Sequence, residues 1–402
     1  MTLWTGLTGW WRRRSASPLE ALLRGGGQTA AGVSVSPQTA LRQATVGACI
    51  RVLSETIASL PLVLYRSRAD GGRDEAADHP LHTLLRRRPA KWLTAFQLHE
   101  GMAVNLLTRG NGYCWIERHR SGELLNLIPL DPEGVSIEQA ADYGPAYTVT
   151  MPDGEQRALP RDELHHVGGP LPKGFEGQSM ISLYRETIGS ALAGEQFMGR
   201  MWKNAATPSG VLSHPGQLSS QALVNLRESF ERAYAGSANA GRPMVLEEGM
   251  SWVQMSLAPR DAQFVEAMKL RRSEIAAIFR VPPHLVGDLE RATFSNIEQQ
   301  SLEYVIYSLR PWLKRIEQAI WRDLLTDQER EAGYVAKFNV NALLRGDFRS
   351  RMEGYAMGRQ WGWLSSNEVR AMEGLNPREG GADYLSPLNM TTEITDRPPV
   401  ED

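Results

Sequence analysis

Residues 278–300 read IFRVPPHLVGDLERATFSNIEQQ, and they join two long segments whose apolar residues recur at helical spacing. The segment before this stretch covers 261–281, and the segment after it covers 296–327. Proline cannot donate a backbone hydrogen bond, and it disfavours helical geometry in the residue before it. Pro282 and Pro283 therefore predict that the first helix ends there and that a loop leads to the second.

The expected loop spans 282–295 and contains one glycine. Asp261 is expected to cap the helix before the loop, because a carboxylate accepts hydrogen bonds from the free amides of a first turn. In the helix after the loop, Pro311 removes one backbone hydrogen bond and clashes with the carbonyl of Tyr307. A kink at Pro311 is therefore predicted.

Two further segments precede this pair. Residues 179–204 form a helical pattern that is rich in Gly, Ala and Ser, although each glycine inside a helix costs about 1 kcal/mol. Close packing of this helix beside copies of itself would recover that cost. Residues 205–260 predict a compact insertion with a short strand, a helix capped by Ser219 or Ser220, and a strand pair that turns at Gly249.

The segment 37–178 predicts an α+β domain. Helical periodicity covers about 39–60 and 95–108, and a strand follows the first of these helices. Two hairpins are indicated by alternating apolar residues around turns at 119–122 and 152–154.

The remaining segments lie at the two ends of the chain. Residues 1–36 contain a Trp/Arg cluster and read as a flexible arm, which could touch a membrane surface, nucleic acid or a partner subunit, or dock on nothing. Residues 328–376 predict one strand and two helices, and 377–402 read as a polar, flexible tail. The chain has no internal repeat.

Composition excludes several classes of protein. The 44 basic and 46 acidic residues give a net charge of −2, whereas a protein that grips duplex DNA through its phosphates usually has a basic surplus. Cys49 and Cys114 are far apart and match no metal-ligand spacing, which favours buried, reduced thiols in an intracellular protein. No apolar run is long enough to span a membrane, and the N-terminus lacks the pattern of a signal peptide.

No catalytic or metal-binding arrangement emerges from the sequence. Gly-Lys never occurs, so a phosphate-binding loop is absent. Ser179 follows the first half of a nucleophile elbow, but Ile181 stands where glycine is required, and Ser179 is better explained as a helix N-cap. His165 and His166 are adjacent on a predicted strand and point to opposite faces, so they cannot easily share one metal ion. No catalytic residue, metal or cofactor is predicted.

Eight short stretches, taken together in this order, resemble the portal proteins of tailed double-stranded-DNA bacteriophages. The resemblance covers about residues 40–385 and is nearest to the compact portals of long-tailed phages and of gene transfer particles. The stretches are ACIRVLSETIASLPLVLY at 48–65, HPLHTLL at 79–85, LLTRGNGYCWIER at 106–118, LLNLIPLDP at 124–132, GQSMISL at 177–183, WKNAATPSGVL at 202–212, DAQFVEAMKLRRSEIAAIFRVPPHLVG at 261–287 and GWLSSNEVRAMEGLNP at 362–377.

This resemblance implies a ring of twelve subunits at one capsid vertex, with DNA passing along its axis. It also implies a portal fold with an α/β wing, a long-helix stem, a small α/β clip, a tunnel loop, a kinked long helix and a helical crown. The implied regions are the wing at 37–178, the stem helices at 179–204 and 261–281, the clip at 205–260, the tunnel loop at 282–295, the kinked helix at 296–327, and the upper wing and crown at 328–376.

The resemblance further implies partners and contact residues. The partners are the other subunits, double-stranded DNA, the large terminase subunit, a head–tail adaptor and the major capsid protein, in a particle assembled in the bacterial cytoplasm without a membrane. The residues expected to face DNA in the tunnel loop are His284, Asp288, Glu290, Arg291 and Thr293, whose charges nearly cancel. The residues expected on the docking surface of the clip are Arg227, Glu228, Glu231, Glu247 and Glu248.

Two other functions remain open at this point. One is a capsid-assembly scaffold or structural adaptor that never encloses DNA. The other is a nuclease or protease whose activity would depend on His165, His166 or Ser179.

Overall fold

A computed structural model gives the structure of the chain. It describes residues 28–151, 153–203, 210–234, 246, 249–254, 258–289, 294–340 and 348–385. The chain divides into two compact units, with the boundary between Phe338 and Asn339.

Eleven strands are formed by the described residues. They are β1 (Leu62–Ser67), β2 (Arg73–Glu75), β3 (Asn111–Arg118), β4 (Leu124–Leu130), β5 (Val135–Gln139), β6 (Pro145–Thr150), β7 (Gln156–Leu159), β8 (Leu164–Gly168), β9 (Gly210–Ser213), β10 (Ser251–Gln254) and β11 (Tyr334–Phe338).

The helices of the described residues are mostly longer than the strands. The α-helices are α1 (Pro37–Ala40), α2 (Ala44–Ser59), α3 (Pro80–Arg86), α4 (Ala95–Arg109), α5 (Met180–Leu183), α6 (Arg185–Lys203), α7 (Ser220–Tyr234), α8 (Ala258–Ile278), α9 (Phe294–Glu303), α10 (Arg310–Asp323), α11 (Asp327–Glu331), α12 (Phe348–Gln360) and α13 (Ser366–Met372). A 3₁₀ turn covers Pro283–Val286, and a π-helical segment covers Tyr304–Leu309.

The sheets formed by the described residues are all antiparallel and small. Their strand orders are β11–β1–β2, β4–β3–β8, β5–β6–β7 and β9–β10. The first sheet pairs residues that are distant in the sequence, since Leu62 lies opposite Phe338 and Leu64 lies opposite Ala336. The segment expected at 328–376 therefore contributes β11 to the first unit and α12 and α13 to the second.

The core of the first unit lies where α2 packs on α4 and where α10 packs on β8. Its apolar side chains come from both the helices and the sheet. Fully buried members include Leu53, Ile57, Leu106, Leu107, Ile116, Leu127 and Leu164.

Several predicted elements are confirmed. The helix expected at 95–108 is α4, which is capped by Thr94 and ends at Gly110 with a φ of 83°. Both predicted hairpins form, as the pairs β3–β4 and β6–β7. These elements have local sequence signals at both ends, namely a capping box, a left-handed glycine or a tight turn.

Other predictions about helices are wrong in detail. The single helix expected over 179–204 is two helices, because Tyr184 leaves helical geometry between α5 and α6, with a φ of −109° and a ψ of 26°. The segment expected at 39–60 likewise divides into α1 and α2. Asp261 is not an N-cap, since α8 already begins at Ala258.

The helix predicted over 296–327 also differs. It ends at Asp323, because Thr326 caps a separate helix, α11, through a capping box with Glu329. The irregularity expected at Pro311 takes the form of the π-helical segment just before it. Pro311 is the second residue of α10, which continues directly from that segment, and its nitrogen has no hydrogen to donate to the preceding turn.

Candidate functional site

The helix break at Arg280 is made by backbone geometry rather than by the two prolines alone. Arg280 has a φ of 55° and donates its amide to the carbonyl of Ala277 at 3.0 Å, while Val281 donates to Ala276 at 2.9 Å. This pair of bonds is the Schellman ending of a helix, with an arginine in the left-handed position that glycine usually takes. Pro282 then follows, where proline is common because it cannot continue a helix.

Sequence reasoning predicted that α8 ends here but missed the part played by Arg280. A non-glycine residue in left-handed geometry has no strong signal in the sequence. The prolines that follow were the only local evidence for the end of the helix.

The segment after the break is a compact turn. Pro283 begins the 3₁₀ turn, and Gly287 ends it in left-handed geometry with a φ of 82°. The imidazole Nδ1 of His284 lies 2.8 Å from the Oε1 of Gln300 on α9. Within the turn, Asp288 donates its amide to the carbonyl of Pro283 at 3.0 Å. His284 is therefore tied to α9 rather than free in solution.

Only part of the predicted loop can be placed. His284 and Asp288 are half-buried, whereas the neighbouring Leu285 and Leu289 are exposed. The other three residues predicted to face DNA lie outside the described residues; they are Glu290, Arg291 and Thr293.

A side-chain hydrogen bond connects the break to the π-helical segment. The hydroxyl of Ser308 donates to the carbonyl of Arg280. On the same segment, the hydroxyl of Tyr304 lies 3.4 Å from the carbonyl of Val52 and 3.4 Å from the Oγ1 of Thr56, both on α2. The break is thus braced against the core of the first unit. Sequence reasoning did not predict the π-helical segment.

The two long helices before the break, α6 and α8, contact each other. Gly189 on α6 is explained within the chain, because a Cβ atom there would lie 2.6 Å from the Cγ2 of Thr29. Gly199 on the same helix has no atom of the described chain within 4 Å of such a Cβ. Gly189 is therefore explained by a contact within the chain, and close packing between copies of this helix stays a prediction, for which Gly199 has room.

The insertion between α6 and α8 contains α7 and the pair β9–β10. Ser219 is the N-cap of α7, since its Oγ accepts the amide of Ala222 at 3.2 Å, and Arg227 and Glu228 are exposed on that helix. Gly249 makes a left-handed turn with a φ of 72°. Glu247, Glu248 and the side chain of Glu231 lie outside the described residues. The strand β10 pairs with β9, a pairing that was not predicted.

The histidine pair on β8 belongs to a buried polar cluster. His165 lies 3.0 Å from a carboxylate oxygen of Asp323, while His166 faces the other side of the sheet and lies 3.1 Å from the Oδ1 of Asn111. The Nδ1 of His166 lies 3.2 Å from the hydroxyl of Tyr147. Because the Oδ1 of Asn111 can only accept, we infer that the Nε2 of His166 donates and its Nδ1 accepts.

Burial and charge set the protonation of this cluster. Burial, reinforced by the nearby guanidinium of Arg322, lowers the pKa of His166 to about 4. Burial alone would raise the pKa of Asp323, but hydrogen bonds from Arg322 and His165 outweigh it and hold that pKa at about 2. The cluster therefore carries a neutral His166 and an ionised Asp323 near pH 7.

This geometry gives no support to the alternative of a nuclease or protease. The hydroxyl of Ser179 donates to the carbonyl of Thr108 at 2.5 Å and accepts the amide of Ser182 at 3.1 Å, so Ser179 is the N-cap that was predicted. In the described part of the chain, no group of three or more His, Cys, Asp or Glu residues is placed to hold a metal ion.

Three glycines meet beside this cluster at a junction that sequence reasoning missed. A Cβ on Gly177 would lie 2.1 Å from the amide nitrogen of Gly169 and 2.4 Å from the carbonyl oxygen of Gly110. The side chain of Asn111 completes the junction by accepting the amide of Gly177 at 2.9 Å and donating to its carbonyl at 3.1 Å. This junction, which we call the glycine junction (Gly110, Gly169 and Gly177), fixes the start of β3 against the segment that leads into α5.

Comparison with known proteins finds relatives over most of this chain. The family model of the phage portal proteins matches residues 44–374. The probable portal protein of Streptomyces phage phiC31 is 35% identical over 379 residues, which cover 91% of this chain and 82% of that protein. The portal protein of Enterobacteria phage HK97 is 31% identical over 353 residues, which cover 87% of this chain and 82% of that protein.

Solved structures give the same result for the fold. A chain from the neck of an empty gene transfer agent particle, computed with C6 symmetry, matches with a TM-score of 0.61 at 25% identity, over 90% of this chain and 99% of that one. A chain from the neck of a native particle, computed with C12 symmetry, matches with a TM-score of 0.57 at 23% identity and the same coverage.

The chain therefore belongs to the phage portal protein family, and its mixed helix-and-strand fold is that of solved portal chains. The resemblance stated from the sequence is confirmed. None of the helices built from described residues is both long and apolar enough to cross a lipid bilayer.

Proposed function

We propose that this portal protein forms a ring at one vertex of a phage capsid or phage-like particle and serves as the conduit for double-stranded DNA. The observation that carries the proposal is the match to two phage portal proteins at 35% and 31% identity over most of both chains. The likeness to chains from particle necks with C6 and C12 symmetry supports a ring of twelve copies.

The regions of the ring follow the boundaries expected from the sequence. Residues 37–178 make most of the wing, and α6 and α8 make the stem. The clip is the insertion 205–260, the tunnel loop is 282–295, and the upper wing and crown are 328–376. Support comes from the long paired helices α6 and α8 and from the abrupt helix break that follows α8.

The tunnel loop is the part that faces DNA in this proposal. His284 and Asp288 belong to an ordered turn at its start. A conduit must let many phosphates pass without a deep electrostatic well, because phosphate contacts hold DNA strongly. The nearly balanced charge of the loop fits that requirement, with Asp288 and Glu290 opposed by Arg291.

The clip is the docking platform for the large terminase subunit during filling and for a head–tail adaptor afterwards, and the major capsid protein surrounds the ring. Exposed charges on α7, at Arg227 and Glu228, support a docking role for this helix. The ring itself is a structural part of the particle and not an enzyme, and the motor's ATPase is a separate chain. Assembly takes place in the bacterial cytoplasm.

Deletion of residues 285–294 tests the conduit directly. The shortened ring is expected to assemble, because α8 ends through its own hydrogen bonds at Arg280 before the deleted segment begins. Particles carrying it are expected to package or retain much less DNA, as measured by the DNA content of purified particles and by infectious or transducing titre. Filled particles with a normal titre would contradict the assignment of this loop.

A further inference from the structure

A concentrated basic patch lies in the connection between α3 and α4. The residues RRRPAK at 86–91 include four cations in six positions, and no Asp or Glu occurs anywhere in 79–99. The chain as a whole has a net charge of −2. Positive charge is therefore concentrated locally in this segment of a nearly neutral chain.

The backbone of this connection is held in place by hydrogen bonds to its neighbours. Arg87 and Arg88 both donate their amides to the carbonyl of Thr83, each at 3.0 Å. The carbonyl of Pro89 accepts the amide of Leu127 on β4 at 2.9 Å. The connection is thus anchored to both α3 and β4, and the side chains that it carries start from fixed positions.

Three of the four cations of the patch are available for a partner. Arg86 is paired with Glu75 at 2.7 Å. Arg87, Arg88 and Lys91 are exposed, and they form no ion pair with any residue that the structure describes. Three free positive charges therefore share one short, anchored segment.

Two exposed aromatic side chains follow these charges closely in the sequence. Trp92 is 66% exposed and Phe96 is 43% exposed. We call residues 86–96 the basic loop. Its combination of arginine, lysine and exposed aromatic rings offers charge to phosphates and flat apolar surface to sugars and bases.

We propose that the basic loop binds the sugar-phosphate backbone of DNA. An acidic protein segment would also match the charge, but its carboxylates engage only the cations, whereas DNA offers phosphates to the cations and sugar surface to the exposed rings. Phosphate contacts, in contrast, are made by clusters of lysine and arginine. This contact goes beyond the conduit, because the basic loop belongs to neither the stem helices nor the helix break.

The test measures binding of a covalently closed circular plasmid to the purified protein by filter binding over a range of salt concentrations. A closed circle cannot thread a closed ring, so the result does not depend on the channel. The triple variant Arg87→Gln, Arg88→Gln and Lys91→Gln is expected to raise the Kd at low salt at least about tenfold. Its log–log salt slope is expected to become shallower by about 2.7, because each phosphate contact contributes about 0.9.

A matched triple variant removes the same charge from other exposed positions, namely Arg42→Gln, Arg157→Gln and Lys173→Gln. It is expected to keep the wild-type slope to within about one contact's contribution. Trp92→Ala is expected to weaken binding without changing the slope, because it removes no charge. Should the first triple variant fail to fold, Arg88→Glu alone is expected to weaken binding and make the slope shallower.

Three results would overturn the proposal. They are a wild-type protein that does not bind the circle, equal slopes for the two triple variants, and loss of particle assembly by the first triple variant with unchanged binding of the circle. The last result would instead assign the basic loop to a protein partner. Failure of the conduit would show separately, as normal DNA content after deletion of 285–294.

Discussion

Two regions of the first unit differ in how far their large apolar side chains are buried. In the region of α2, α4 and β3, leucines and isoleucines such as Leu53, Leu106 and Ile116 are fully buried. In the long helices α6, α7 and α8, large apolar residues such as Phe197, Leu223 and Leu270 are more than half exposed. One region has its core within the chain, and the other presents apolar surface outward.

This contrast explains how a portal subunit can fold stably by itself and still leave apolar surface exposed. Apolar area removed from water contributes roughly 25 cal/mol per Å², so the region around α2 and α4 stabilises itself. The exposed apolar residues of the long helices, such as Phe197 and Leu270, gain that contribution only when something covers them. In the proposed ring, neighbouring subunits provide that cover.

The largest expected effect comes from breaking the self-contained region at the glycine junction. Gly177→Ala would place a Cβ 2.1 Å from the backbone nitrogen of Gly169, so backbone must move. We expect a loss of about 3 kcal/mol in the free energy of unfolding, measured by urea denaturation. Gly101→Ala is the control, because a Cβ there meets no described atom within 4 Å and lies in α4; it should gain up to about 1 kcal/mol. Equal stability of the two variants would contradict the junction's role.

A second effect of similar size is expected on acidification. The pKa of His166 falls from 6.5 to about 4 on folding, so the folded state resists its protonation. Its contribution is fully present above pH 6.5 and is lost as the pH falls toward 4, at a total cost of about 3 kcal/mol. Asp323, whose pKa is lowered to about 2, loses its contribution at lower pH still, between about 4 and 2.

Urea denaturation at pH 7, 5.5 and 4 measures this dependence. His166→Gln should have a flatter profile between pH 6.5 and 4 than the wild type. His119→Gln, at an exposed hairpin turn, is the control and should keep the wild-type profile. A wild-type profile that is already flat over this range would rule out the buried, neutral His166.

The smallest effect on folding is expected in the long helices. Leu270→Gln replaces a side chain that is already 61% exposed, so the free energy of unfolding of the monomer should change by less than about 0.5 kcal/mol. The fraction of protein in rings, measured by analytical ultracentrifugation, should nevertheless fall. Leu125→Gln on β4 is the matched control, with an exposed leucine outside the long helices. If Leu270→Gln assembles as well as Leu125→Gln, the surface around Leu270 is not an interface.

Sequence patterns predicted the elements whose signals are local. The helix α4 carries its capping box and its terminal glycine within a few residues, and the hairpin β3–β4 has a polar turn between alternating strands. The pairing of β1 with β11 could not be predicted in the same way, because residues 62 and 338 share no local signal. Distant pairings depend on the packing of the whole unit.

The candidate site was predicted less completely than the fold. The prolines after α8 gave the position of the helix break, but the left-handed Arg280 and its bond to Ser308 have no sequence signature. The glycine junction could not be predicted from the sequence for a related reason, since Gly110 and Gly177 meet only after folding. Periodicity predicts helices well, and it gives no information about what lies opposite their exposed faces.

The most direct test of the ring is the mass and projected shape of the purified protein, measured by light scattering and electron microscopy. Twelve copies of the 44.7 kDa chain would form a closed annulus of about 540 kDa with a central hole wide enough for duplex DNA and heterologous contacts between subunits. That result is the one predicted here. A closed particle without a central opening would contradict the conduit and would favour a scaffold or adaptor that never encloses DNA.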